Sequence, residues 1–157
     1  MYALLKNFSK LPLRFIQNLA KSVGSLLYIT NSSIRRTTEI NLGIAYPELS
    51  ASERTRLAKR SVQSQCMTYA ESVKIWGSEP EFALKQIRNI HHPEIFTDAL
   101  KNPNGTLAVV PHFGTWELLN AWVNQHTSPV IMYKPSKNPD VDRFMLEARQ
   151  RLNATLV

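Results

Sequence analysis

His112 and Glu117 stand five residues apart in the stretch TLAVVPHFGTWELLN, residues 106–120. An imidazole beside a carboxylate is a proton-transfer pair. One ring nitrogen takes a proton while the carboxylate fixes the tautomer and steadies the imidazolium. On one continuous helix the two residues would lie about 140° apart and could not meet. With His112 on a loop and Glu117 in the first turn of a helix, the carboxylate can reach back to the ring. Gly114 between them permits that tight return, because glycine accepts backbone angles closed to other residues. Backbone N–H groups at the helix start would face a developing oxyanion. The same spacing also suits a structural histidine near a strand end, and H-x4-E alone does not choose between the two.

The elements around the pair must hold it in place. Residues 106–110, apolar or β-branched between Gly105 and Pro111, read as a short buried strand, preceded by the turn Asn102-Pro103-Asn104-Gly105. A helix over residues 116–125 follows, then a second parallel strand over residues 130–133. The exit loop of that strand carries Lys134 and Lys137, well placed for an anionic group. Asp140 or Asp142 is expected to cap the next helix, whose last turns carry Arg149 and Arg151. Cations there also suit the negative end of the helix dipole. Residues 153–157 read as one more strand just beginning, so the series leaves a parallel sheet open and the chain looks truncated. The site would then sit at the carboxyl ends of the strands, where open α/β sheets bind ligands.

Upstream the pattern is helical. In residues 1–30 the apolar positions Leu4, Leu5, Phe8, Leu11, Phe15, Leu19, Val23, Leu26 and Leu27 recur mostly at three- and four-residue steps. Lys6, Lys10, Arg14 and Lys21 interrupt them, and the segment is expected to bend or restart at Pro12. No Asp or Glu occurs before Thr37, which suits an anionic membrane interface; an ordinary core-covering helix with solvated lysines is the alternative. Further helices are expected over residues 33–45 and 52–76, the latter opened by the capping box Ser50–Glu53 and stopped by Gly77. Glu71 reads as a structural anchor on it. Short helices over 80–87 and 94–100 flank a brief strand at Ile90. His91-His92 with Glu94 lacks a recognised ligand spacing and reads as a surface turn, so no metal site is expected.

The 157 residues carry a net charge of +7, with 43% hydrophobic and 20% charged residues, as in one globular domain with an anionic partner. Scattered basic residues without a groove-reading motif argue against nucleic acid. The lone Cys66 excludes an internal disulfide framework and reads as a small core residue. Neither a secretory signal nor an uninterrupted apolar run of spanning length is evident.

Several blocks, in order, resemble the bacterial lipid A late acyltransferases, the lauroyl/myristoyl transferases related to glycerolipid acyltransferases. These are NLGIAYPEL (Asn41, Leu42, Pro47, Glu48, Leu49), then His112, Gly114, Trp116 and Glu117, then Tyr133, Lys134, Pro135, Asn138 and Pro139, and finally the pair Arg149 and Arg151. The resemblance covers this chain but only the N-terminal part of a family member. Lys134 stands where an arginine is common. The fold implied is α/β, glycerolipid-acyltransferase-like: N-terminal helices followed by the first strands of a mainly parallel sheet with flanking helices. Residues 1–30 would be an amphipathic membrane-associating segment, and residues 31–157 the N-terminal part of one acyltransferase domain.

The activity implied is acyl transfer from an acyl carrier protein or acyl-CoA thioester to a hydroxyl of a lipid A precursor. It would take place at the cytoplasmic face of the bacterial inner membrane, with no cofactor. His112 would be the general base and Glu117 its orienting partner. Arg149, Lys134 and Arg151 would hold phosphate or carboxylate groups of the substrates. Transfer to another membrane glycolipid or glycerolipid, or an inactive membrane-associated fragment, are the alternatives.

Overall fold

The computed structural model describes residues 1–152 and 154–157; Asn153, placed by the sequence at the start of the final strand, lies outside the described residues. Among those described, eight helices and two strands follow in the order α1 (Tyr2–Ser9), α2 (Leu13–Ile29), α3 (Ser33–Ala45), α4 (Ala51–Trp76), α5 (Pro80–Gln86), α6 (Pro93–Ala99), α7 (Glu117–Val123), β1 (Val130–Ile131), α8 (Pro139–Arg151) and β2 (Thr155–Leu156). Contacts divide the chain into two units, residues 11–71 and residues 1–10 with 72–157.

In the helical unit, Pro12 caps α2, where its missing N–H costs nothing, so the amphipathic pattern restarts there. The buried row of α2 is Ile16, Ala20, Gly24 and Tyr28, spaced by four. Gly24 lets α2 approach α4 so closely that a Cβ there would sit 2.7 Å from the Cα of Gln63. Tyr28, Ala58 and Val62 form the core, with Leu27 and Leu42 packed against it. The Tyr28 hydroxyl donates to Glu39 at 3.1 Å, and Arg35 Nε pairs with the same carboxylate at 2.8 Å. The Ser50–Glu53 capping box forms as expected: Ser50 N–H donates to Glu53 at 2.9 Å and Glu53 N–H to Ser50 Oγ at 3.3 Å. Glu71 is an anchor, accepting from Gln17 Nε2 at 2.7 Å.

In the second unit, α1 packs on α8. The Tyr2 ring meets Phe144 edge-on at 5.9 Å, its hydroxyl donates to Glu147, and the Met1 amine pairs with Asp140 at 3.0 Å. Lys74 Nζ donates to the Ser9 carbonyl at 2.7 Å. α5 packs against α7. α8 links the two parallel strands, with Val130 opposite Thr155 and Ile131 opposite Leu156.

Three expectations need correction. Residues 106–110 form no strand, and neither does Ile90. A strand exists only as a hydrogen-bonded pair, and here Leu107 and Val109 are 90% and 87% exposed without one. The only strand pair among the described residues is the short β1–β2 ladder. Finally, α8 is capped not by Asp140 or Asp142 but by Asn138, whose Oδ1 accepts from the N–H groups of Asp140 and Val141 at 3.0 and 3.3 Å. Pro139 at N1 places the cap at Asn138, two residues before Asp140.

Candidate active site

Helix α7 presents two faces. Glu117 and Ala121, four apart, are buried, whereas Trp116, Leu118, Leu119 and Trp122 line an open apolar cleft on the other side. Burying a carboxylate is costly unless it is paired. Arg149, reaching in from α8, supplies the partner: its Nη2 lies 3.2 Å from Glu117 Oε1. The second oxygen accepts from Asn120 Nδ2 at 2.9 Å. Glu117 is 4% exposed and Arg149 13%, so this pair is shielded from the screening that weakens surface bridges. Its position in the first turn of α7 also suits the helix dipole.

His112 stands on the extended segment just before this helix and is exposed. Gly114 adopts φ 58°, the left-handed conformation that favours glycine. The imidazole lies edge-on to Trp116, with ring centroids 4.6 Å apart. The hydrogen bonds described for Glu117 go to Arg149 and Asn120, and none joins it to His112. The structure therefore brings Glu117 together with Arg149, and His112 together with Trp116.

Tyr133, just past β1, donates its hydroxyl to Asp142, which also accepts from the Ser136 N–H at 2.6 Å. Burial, and then the hydrogen bond and charge of Asp142, push the Tyr133 phenol up to about 12 against an opposing influence from Arg149. Asp142 thus ties the Lys134–Pro139 loop to α8, leaving Lys134 and Lys137 exposed. Arg151 turns away from Glu117: its guanidinium donates to the carbonyl of Trp76 and, at 3.5 Å, to that of Ser78. His92 caps α6 in a left-handed conformation and meets Glu94 at 3.1 Å on the surface. Among the described residues no group of three or more His, Cys, Asp or Glu is placed to hold a metal ion. Burial raises the Cys66 thiol, which disfavours the nucleophilic thiolate.

Spacing reveals His112, Gly114 and Glu117 but not the Glu117–Arg149 pair, whose members lie 32 residues apart. One signal was present: a carboxylate sharing a helix face with Ala121 calls for a cation from another element. Nothing local says which cation. Asn120 gave no such signal either, and Asp142, expected as a helix cap, instead accepts from Tyr133 and Ser136.

The family model described as bacterial lipid A biosynthesis acyltransferase matches residues 1–157. The chain is similar to the lipid A biosynthesis lauroyltransferase of Escherichia coli (strain K12), at 26% identity over all 157 residues and 46% of that protein. It therefore spans about half the length of that relative.

Proposed function

Because this chain belongs to the bacterial lipid A biosynthesis acyltransferase family, we propose that it moves a fatty acyl group from a thioester to a hydroxyl of a lipid A precursor. The donor is an acyl carrier protein or acyl-CoA. His112 takes the proton of the acceptor hydroxyl, whose oxygen attacks the thioester carbonyl. The C–S bond of the resulting tetrahedral intermediate breaks, and the departing thiolate recovers the proton from the imidazolium.

The observation that carries this reading is the Glu117 carboxylate, buried and clamped by Arg149 five residues after an accessible imidazole. In this reading the His112 ring meets that carboxylate only once substrate is bound. Arg149 then acts on Glu117 and not directly on substrate. Lys134, exposed on its loop, meets the anionic headgroup. Arg151, held by two backbone carbonyls, secures the end of α4.

The setting we propose is the cytoplasmic face of the bacterial inner membrane. Helix α2 supports it, with Phe15, Leu19, Val23, Leu26 and Ile29 all exposed within about 120° of arc at ~100° per residue. No helix among the described residues is long and apolar enough to cross a membrane.

Incubation of the chain with a radiolabelled acyl thioester and a lipid A precursor tests the reaction. Transfer is expected in the parent and is expected to fall by about 10²–10⁴-fold in His112→Ala. Glu117→Gln, which keeps a hydrogen-bond acceptor for Arg149, should lose activity while its circular dichroism stays unchanged. Turnover near that of the parent in either variant rejects the dyad.

A further inference from the structure

Within the second unit, the end of α4 together with α5, α7 and α8 encloses a small cavity of about 20 Å³. Three buried alanines, Ala83, Ala121 and Ala148, make room for it, and Trp76, Glu117 and Arg149 also line it. Two of those residues carry a buried N–H group that finds no protein acceptor among the described residues, at Trp76 Nε1 and at Arg149 Nε. A buried donor without an acceptor is costly, so such groups are almost always satisfied. The surroundings do not supply the acceptor. An alanine side chain has none, Arg151 already donates to the carbonyls of Trp76 and Ser78, and Glu117 receives Arg149 through Nη2.

We propose that this cavity is a binding site for one water molecule, which accepts from Trp76 Nε1 and Arg149 Nε and donates to the Glu117 carboxylate. Size and donor arithmetic agree. A single water needs ~10–15 Å³ of such space and polar partners around it. Its oxygen accepts two hydrogen bonds, matching the two N–H groups. Each Glu117 oxygen accepts one described bond, from Arg149 or from Asn120, and a carboxylate has capacity for about four. A chloride would also accept from both donors. It would add a second anion beside a carboxylate that is 4% exposed, where like charges are poorly screened. Through the water and Arg149, Trp76 becomes a positioning residue for Glu117; this last step alone rests on the acyl-transfer reading.

The test is rotating-frame NMR of the isotope-labelled full chain, with water itself as the probe. The Trp76 indole N–H and the Arg149 Nε–H are each expected to show a cross-peak to the water resonance with the sign of dipolar contact, opposite to that of proton exchange. Trp76→Phe removes one of the three indole signals and so assigns it; should that variant not fold, Trp116→Phe and Trp122→Phe assign it by elimination. Ser78→Ala removes a lining hydroxyl whose exchanging proton imitates bound water, and should leave both cross-peaks. Ala121→Val, whose added methyl groups fill the cavity, should abolish both. A parent chain lacking either cross-peak, cross-peaks that vanish in Ser78→Ala, or cross-peaks that persist in Ala121→Val overturn the proposal. So does a saturable shift of the Trp76 indole when chloride replaces sulfate, which would mark an anion site.

The two readings fail separately. Trp76→Phe is expected to lower the kcat of acyl transfer by about tenfold with KM unchanged, the mark of a misplaced reacting group and not of weaker binding. Equal kcat in parent and variant rejects the positioning role, while the parent's cross-peaks still decide the water site. Both cross-peaks in a chain without transferase activity support the site and reject the reaction.

Discussion

Removing the Arg149 guanidinium would strand a carboxylate that is 4% exposed. Breaking a buried pair from one side costs about 3–5 kcal/mol, so Arg149→Met is expected to lower the urea midpoint sharply. Arg149→Lys should recover part of the loss, because it restores charge without the planar fork. The double variant Glu117→Gln/Arg149→Met should be more stable than Arg149→Met, since the uncompensated charge is gone; a double variant no more stable than Arg149→Met would reject the buried-charge account. At this scale residue type and spacing were informative where partners lie within one turn, as with Ser50 and Glu53. They were silent on Arg149 because its approach depends on where α8 packs.

Helix boundaries follow closely from local chemistry, since caps, glycines and prolines act on their immediate neighbours. The third helix falls at residues 33–45 as the pattern predicts, and α4 starts at its capping box and ends before Gly77. Close approach between helices is different. Gly24 and Gly43 both sit inside helices, yet a Cβ at Gly24 would collide with the Gln63 backbone and one at Gly43 would meet nothing within 4 Å. Gly24→Ala is therefore expected to destabilise by about 1–3 kcal/mol. Gly43→Ala should stabilise by about 0.5–1 kcal/mol. Thermal denaturation of the two variants measures both, and an equal shift in the same direction would contradict the packing described for α2 and α4. Residues 106–110 mark the limit of periodicity: the run is apolar enough for a strand, but hydrogen-bonding neighbours decide whether it becomes one.

For the molecule as a whole, the +7 charge and the exposed stripe on α2 give the membrane proposal its test. Arg14 and Lys21 are the exposed cations of that helix, and a basic residue near an anionic surface contributes about 1 kcal/mol. The chain should co-sediment with phosphatidylglycerol vesicles at low salt and dissociate progressively as salt screens the charges. A Phe15→Asp/Leu26→Asp variant should bind at least tenfold more weakly. Equal binding to neutral phosphatidylcholine vesicles at every salt concentration would reject the electrostatic part.

By itself the sequence determined the order and extent of the helices, the basic acid-free N-terminal segment, the left-handed turn at Gly114 and the family blocks, all of which depend on neighbours along the chain. Tertiary structure decided that Glu117 answers to Arg149, that Arg151 serves the end of α4, that Asn138 caps α8 and that an apolar cleft opens beside Trp116. Those outcomes depend on which distant surfaces meet, and pairing across 32 residues is a property of packing that no local spacing encodes.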